Sequence, residues 1–540
     1  MNRVKLSALT ALALLLLGTV WAFASPRGSS ADEGFHLTNI WCAWGDSDLC
    51  KVDPNKGVAL VPESIVYSPC FAEWPSQNGA GCLSSLSMDL VETDRISFSP
   101  FSYSIGFFKT MRVFAGENVE LSVQLIRLFN VALASGLLFW ALATSTRTVS
   151  RALAISWGVS IIPVGIFFIA SANPSSWTIM GVGTYWAFLA SALGSEQKTS
   201  RQTRLLWIGV VASALIALLA RVDSGIYLVV ATVAVLIWRW QEFTKKASKT
   251  TLVASLIGFV VLISASAAIL LNRFKGVTFS FPGAQTSNDH PAPLVKALLE
   301  LPAFVFGLFG GQVPKFIVKD SEVFHGEDGY SFHGYIFGVG WTEYPLPSLV
   351  GLLIGAAAFT TLTLGLSRST KLRVLAVLIV MVAFVVQMAL MRASQGFSMI
   401  NNANLQPRYF FPYALIALGI AASISQTRRP FFSRVQVMLL SLPLLVAGSL
   451  AWVAVATRYA VKPSATYTNF GQPIEWWWSI GPGRLAWFLV AMLVTAIWLA
   501  LTLGAWGRLV QPPRANFLGG RAESPAAPNS ITKQDTPETE

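Results

Sequence analysis

Asp32, Glu33 and His36 fall in one short stretch, Ala31-Asp32-Glu33-Gly34-Phe35-His36, soon after a long apolar run. Two carboxylates and an imidazole at the edge of a dry region can supply a general base with an orienting partner, because partial burial raises a carboxylate pKa toward neutral pH. The plainer reading of the same residues is a helix start capped by Asp32 or Glu33. Arg221, close to Asp223, and Arg408, in Gln406-Pro407-Arg408-Tyr409-Phe410, also stand at the ends of apolar runs. Their guanidinium forks can clamp a phosphate through paired hydrogen bonds, or can serve only as snorkelling anchors and local ion pairs. Glu343 and Trp341, in Gly340-Trp341-Thr342-Glu343-Tyr344-Pro345-Leu346-Pro347, can bond sugar hydroxyls and stack on a sugar ring. The alternative is an interfacial aromatic belt, which is the stronger reading for Trp476-Trp477-Trp478. Asn173, in Ala172-Asn173-Pro174-Ser175-Ser176, reads first as a turn and helix cap, and second as a polar contact for sugar or acceptor. His290, His325 and His333 share a segment with Asp289, Glu322, Glu327 and Asp328, but their spacing matches no metal motif and no metal site is assigned. No phosphate-binding glycine loop, dinucleotide fingerprint or nucleophile elbow stands in a convincing context.

The elements that must position these residues are membrane helices. Of 540 residues, 54% are hydrophobic and 12% charged, with a mean hydropathy of +0.56. That charged fraction is about half the level usual in soluble domains and excludes an ordinary soluble enzyme. Apolar stretches of spanning length fall near 5–24, 121–144, 152–170, 177–194, 205–220, 224–238, 251–271, 347–366, 374–391, 409–425, 435–457 and 485–506. An all-α polytopic protein of about twelve transmembrane helices is expected. With a cytoplasmic N-terminus, the inner loops hold Arg147, Arg151, Lys198, Arg201, Arg204, Arg239, Lys245, Lys246, Lys249, Arg368, Lys371, Arg373, Arg428, Arg429 and Arg434, as the positive-inside rule requires. The net charge of +12 thus belongs to orientation and contact with anionic lipid, not to nucleic acid. Every candidate site residue then lies on the extracytoplasmic side of the cell membrane.

The outer loops 25–120 and 272–346 are long enough to be structured, and Phe98 to Phe114 and Pro293 to Phe309 read as helices lying along the interface. Residues 1–510 form the transmembrane domain with these loops, and 511–540 a disordered cytoplasmic tail. Cys42, Cys50, Cys70 and Cys82 all fall in the first outer loop, where two disulfides are expected. Pairing Cys42 with Cys50 and Cys70 with Cys82 closes the shortest loops, but three connectivities remain open. Ala22-Phe23-Ala24 also matches a signal-peptide cleavage site; an uncleaved first helix is the favoured expectation.

Six motifs in order carry a resemblance: Asp32-Glu33-Gly34-Phe35-His36, Val61-Pro62-Glu63-Ser64, Ser99-Pro100-Phe101-Ser102-Tyr103, Ala172-Asn173-Pro174-Ser175, Gly340 to Pro347, and Pro407-Arg408-Tyr409-Phe410-Phe411-Pro412. Together they resemble the domain of unknown function 2142 family of multi-pass membrane proteins, over most of the chain. That family resembles the GT-C glycosyltransferases, which move a sugar from a polyprenyl-phosphate carrier to an acceptor on the outer side. The resemblance implies an inverting transferase in which Asp32, with Glu33 second, is the base and His36 orients it. Arg408 with Arg221 would bind the donor phosphate, and Trp341, Glu343 and Asn173 would contact sugar or acceptor. The family usually has Asp where Glu343 stands, which keeps the carboxylate, and often Gly where Pro407 stands, which alters the backbone beside Arg408. The expected partners are a polyprenyl-phosphate sugar donor, a cell-envelope glycan or glycoconjugate acceptor, and membrane lipid. A phosphate leaving group needs no nucleotide cofactor and leaves room for a divalent cation. Two rival readings use the same residues. A flippase for a lipid-linked saccharide would need ionisable groups along its path, of which Arg127 is the clearest. A non-catalytic envelope-assembly subunit would tolerate loss of Asp32.

Overall fold

A computed structural model describes residues 2–246 apart from 73–78, 98–103, 197 and 222, a few positions between 305 and 339, and 346–509 apart from 395–406, 425–429, 462–472 and 479–481. Trp341, Glu343, His290, the predicted span 251–271 and the tail 511–540 lie outside the described residues.

The chain opens with α1 (Arg3–Ala22) and, after a loop, α2 (Glu33–Trp41). A small antiparallel sheet follows, β1 (Lys51–Asp53), β2 (Val58–Pro62) and β3 (Leu90–Thr93), with the single turn α3 (Glu63–Val66) inside the last connection. Disulfides Cys42–Cys50 and Cys70–Cys82 brace this region, the pairing that closes the shortest loops. The Val61 to Ser64 motif is part of the bracing, since Glu63 accepts from the Ser87 amide at 2.9 Å and hydroxyl at 2.7 Å. Within the stretch Phe98 to Phe114, α4 (Ile105–Met111) buries Phe107, Phe108 and Met111.

The bundle continues with α5 (Val119–Thr144), α6 (Arg147–Ser160), α7 (Ile166–Ile169), α8 (Ser175–Leu193), α9 (Ser200–Ala220), α10 (Ser224–Trp238) and α11 (Trp240–Lys246). A two-stranded ribbon, β4 (Val323–His325) with β5 (Ser331–His333), precedes α12 (Ser348–Leu366), α13 (Lys371–Ser394), α14 (Phe411–Ala422), α15 (Arg434–Ala460) and α16 (Arg484–Leu499). Eleven of the twelve expected spans coincide with these helices. By length and hydropathy, eight are apolar enough to cross a membrane, and α10 and α14 are shorter apolar helices.

Burial divides the helices into two kinds. Residues 148–169, comprising nearly all of α6, α7 and the widened turn between them, are enclosed by protein. The backbone leaves helical angles at Ile162, as expected before Pro163, which lacks the amide to continue the ladder. By contrast, α15 turns Val435, Met438, Leu439 and Leu442 outward at a spacing of three and four residues. In water such a stripe would be a liability; against lipid chains it is the normal exterior.

The bundle has two chemically distinct ends. Arg3, Arg151, Lys198, Arg239 and Arg373 collect at one, where several of them cap helix carbonyls: Arg3 donates to Leu142 O, Lys198 to Ser191 O and Arg151 to Ile424 O. The loop after α1, the sheet and both disulfides collect at the other. Cations at helix C-termini complement the helix dipoles, so this sorting also stabilises the ends it decorates.

Candidate functional site

The loop joining α1 to α2 forms the floor of the site, and a buried ion pair shapes it. Glu33 and Arg127 are both fully buried, with Arg127 Nη2 3.4 Å from Glu33 Oε1. Arg127 also donates from Nη1 to the carbonyls of Ala22 and Ser25, at 3.1 and 2.7 Å, and from Nη2 to that of Pro26 at 2.6 Å. Glu33 Oε2 accepts from Ser30 N at 2.9 Å and Oε1 from Ala172 N at 3.2 Å. One side chain from α5 therefore gathers the end of α1, and one from α2 ties that loop to the start of α8. A buried charge pair is tolerable only when its remaining donors and acceptors are occupied, and here they largely are. Gly28 permits the loop's path: its φ is +79° and a Cβ there would meet Ser68 O at 2.2 Å.

Asn173 belongs to the same scaffold. Its Oδ1 accepts from Ser175 N, capping α8, while its Nδ2 donates to Ala31 O, both at 2.9 Å. One polar atom thus serves the start of α8 and the other the loop that presents Asp32. Asn130 extends the arrangement, donating to Ser171 O and accepting from Trp177 Nε1.

Asp32 differs from its neighbour in every respect. It occupies the N-cap position of α2, but its φ of 60° is left-handed and its carboxylate makes no cap hydrogen bond. Glu33, the first residue of α2, instead turns its carboxylate to Ser30 N in the loop before the helix. Left-handed backbone is unusual for a residue other than glycine, although Asp tolerates it better than most. The turn leaves the Asp32 side chain 54% exposed, with Arg408 Nη2 3.1 Å from its Oδ2.

Arg408 lies in the 3-10 turn Pro407–Phe410 that leads into α14. Its guanidinium stands over the rings of Phe168 and Tyr409, at 5.0 and 4.9 Å, and donates to the Tyr409 hydroxyl at 3.1 Å. Arg221 meets the same Tyr409 ring at 4.8 Å and forms a two-point pair with Asp223, at 3.0 and 2.8 Å. One aromatic ring therefore sits against both guanidiniums.

His36 is one turn along α2, its amide bonded to Asp32 O at 2.9 Å. The ring retains some solvent-facing surface, yet its Nδ1 is sealed without a hydrogen-bond partner. Among the described residues no hydrogen bond joins the ring to the Asp32 carboxylate. Burial pushes the imidazole pKa well below its ordinary value; Asp32 opposes that shift, and Arg221 and Arg408 reinforce it. His36 is accordingly neutral at physiological pH.

The structure thus brings together Asp32, His36, Arg408 and Arg221, and sets Glu33 and Asn173 behind them as supports. Sequence reading did not single out Tyr227, Gln387 and Tyr413. The Tyr227 hydroxyl donates to Tyr409 O, Gln387 Nε2 to the Tyr227 oxygen at 3.5 Å, and the Tyr413 hydroxyl to Gln387 Oε1. This chain from α10, α13 and α14 holds the backbone beside Arg408. Gln387, an amide within the apolar run 374–391, was the signal that could have found it. No curated protein and no solved structure matches the chain. A family model described as a predicted membrane protein of domain of unknown function 2142 matches residues 15–417, and the protein therefore belongs to that family.

Proposed function

We propose that the protein is an inverting membrane glycosyltransferase that takes a sugar from a polyprenyl phosphate and gives it to an extracytoplasmic cell-envelope glycan or glycoconjugate. In this reading the chain crosses the plasma membrane about twelve times in a GT-C-like arrangement, with the disulfide-bearing end outside and both termini in the cytoplasm. The observation that carries it is the half-exposed Asp32 carboxylate facing the Arg408 guanidinium across 3.1 Å at one end of the bundle. A base and a cation that close to one another fit the two charge changes of glycosyl transfer. Asp32 takes the proton of the acceptor hydroxyl as that oxygen bonds to the anomeric carbon. The bond from that carbon to the phosphate oxygen breaks, and Arg408 meets the charge left on the phosphate.

The resting pair also suggests how the two groups are used. Arg408 holds Asp32 at rest, and a donor phosphate competes for the same fork. Donor binding at Arg408 would release Asp32 for the acceptor. Neutral His36, one turn along α2 from Asp32, would orient the base or acceptor, and Arg221 acts through Tyr409 and its pair with Asp223. Trp341 and Glu343 keep their assignment to sugar binding. The flippase reading is weakened, because the ionisable residue that best suggested a path, Arg127, spends both terminal nitrogens on Glu33 and loop carbonyls.

The test is transfer from a synthetic short-chain polyprenyl-phosphate sugar to membrane-derived acceptor, with donor binding measured on the same samples. Asp32→Asn should lower transfer by ~10²–10⁴-fold while donor binding persists. Full transfer by this variant would remove Asp32 as the base, and translocation of lipid-linked saccharide without transfer by the wild type would favour the flippase.

A further inference from the structure

The end of the bundle opposite Asp32 holds a second cationic arrangement that the proposed reaction does not use. Arg373, in the first turn of α13, is only 4% exposed, unlike its neighbour Lys371, which faces solvent. Its guanidinium stands 5.5 Å from the centre of the Trp238 ring, and Arg239 stands 4.3 Å from the same ring. Arg239 has a carboxylate partner, Glu242, at 2.7 Å, and Glu242 also accepts from Ser195 N at 2.6 Å. Arg151, also buried, lies within electrostatic reach of Arg373 but spends its fork on the carbonyls of Ile424 and Leu509. Arg373 itself has no acceptor among the described residues, and its Nε is sealed off without a partner.

Arg239 and Arg373 thus share one carboxylate, and the buried fork of Arg373 is open. A charge meant only to orient a span can snorkel to water, as Lys371 does; a buried arginine without a counter-ion is costly unless something supplies the anion. The indole face offsets part of that cost but offers no hydrogen-bond acceptor. The amides of the first turn of α13 add positive potential at the same place. A planar fork, a second guanidinium on the same ring and a helix start suit a tetrahedral oxyanion better than a carboxylate, which Glu242 already supplies to Arg239. We propose that Arg373 and Arg239 bind a phosphate group at this end of the bundle. Its source is a phospholipid head group of the adjoining leaflet or a free phosphate from the solution. The site is independent of the reaction assigned to the other end.

Purified full-length protein in neutral detergent would be titrated with dioleoylphosphatidylglycerol, with dioleoylglycerol as the phosphate-free control, and with inorganic phosphate. Native mass spectrometry and thermal unfolding would be read on the wild type, Arg373→Gln and Arg373→Lys. Phosphatidylglycerol retention at least tenfold weaker in Arg373→Gln, with Arg373→Lys between, supports the site and assigns it to lipid. The same loss with inorganic phosphate assigns it to a soluble ligand. Retention equal to that of dioleoylglycerol, or equal in all three proteins, overturns the proposal. If Arg373→Gln does not fold, the wild type and Arg373→Lys still decide: a wild type stabilised by neither phosphate species refutes the site.

Discussion

Removing Arg127 or Glu33 should damage the fold far more than removing Asp32, although Glu33 and Asp32 are adjacent carboxylates. Arg127→Met takes away the cation paired with the fully buried Glu33 carboxylate, and with it the donor to the carbonyls of Ala22, Ser25 and Pro26. Breaking one half of such a pair costs about 3–5 kcal/mol. Glu33→Gln keeps the shape but turns one oxygen into an NH₂ group, which faces either Ser30 N or Ala172 N, donor against donor. One buried amide then loses its acceptor, a loss of about 1–3 kcal/mol, and the buried Arg127 cation loses its counter-ion as well. The double variant carries no stranded charge, so its cost should fall short of the sum of the singles by ~1–3 kcal/mol. Asp32→Asn, at a half-exposed pair, should cost about 1 kcal/mol or less. Denaturant unfolding in detergent, followed by tryptophan fluorescence, measures all four. Additivity within ~0.5 kcal/mol, or Arg127→Met unfolding at the wild-type midpoint, would refute the claim that this pair builds the loop under Asp32.

Three further outcomes are expected. Non-reducing peptide mapping should recover Cys42 linked to Cys50 and Cys70 to Cys82; serine at either pair should cost ~2.5–3 kcal/mol by chain entropy, and any crossed linkage would contradict the fold of the outer region. Arg408→Lys keeps the charge but not the fork, so donor affinity should fall at least tenfold while the protein still inserts; unchanged affinity in Arg408→Lys and Arg408→Ala would leave Arg408 an anchor. The folded-state pKa of His36 lies below its unfolded value of ~6.5, so its contribution is complete above that pH and is lost on acidification toward the folded value of about 3. The loss is at most ~1.4 kcal/mol per pH unit; His36→Gln should flatten the acid limb of the stability profile, and a variant profile parallel to the wild type would show that His36 is not desolvated.

Much of the fold was legible because hydrophobic length and charge asymmetry act locally. The runs 121–144, 205–220 and 435–457 became α5, α9 and α15, since a lipid-facing helix must be apolar over its whole length. Interior helices obey a looser rule. The α8 segment, with Ser175, Ser176, Thr178, Gly181, Gly183 and Thr184, sits entirely against protein, where small and hydroxyl-bearing residues pack and bond to neighbouring backbone. Its hydropathy is diluted by the same residues that let it pack, so span counts based on apolarity become least certain at the centre of the bundle. The disulfides were legible as a set, from their shared compartment. Their pairing depends on the turn between α2 and β1 and on the chain's path after α3, which distance along the chain only suggests.

The site was legible as a list of residue types and illegible as a division of labour. Asp32 and Glu33 have the same chemistry and neighbouring positions; what separates them is one backbone angle and one distant arginine. In a regular helix start, Asp32 would turn its carboxylate back onto the first amides and become a cap. The left-handed turn at Asp32 removes it from that duty, and Glu33, paired with Arg127, accepts instead from the amide of Ser30 in the loop before the helix. The fold thereby frees one carboxylate by committing the other. No motif encodes that exchange, because Arg127 lies far along the chain in what reads as an ordinary apolar span. The same logic applies to the arginines: Arg221 is committed to Asp223 two residues away, whereas Arg408 reaches across the bundle to the exposed carboxylate. The groups left facing each other at the surface are those whose partners a ligand can replace, and the groups behind them are those whose partners it cannot reach.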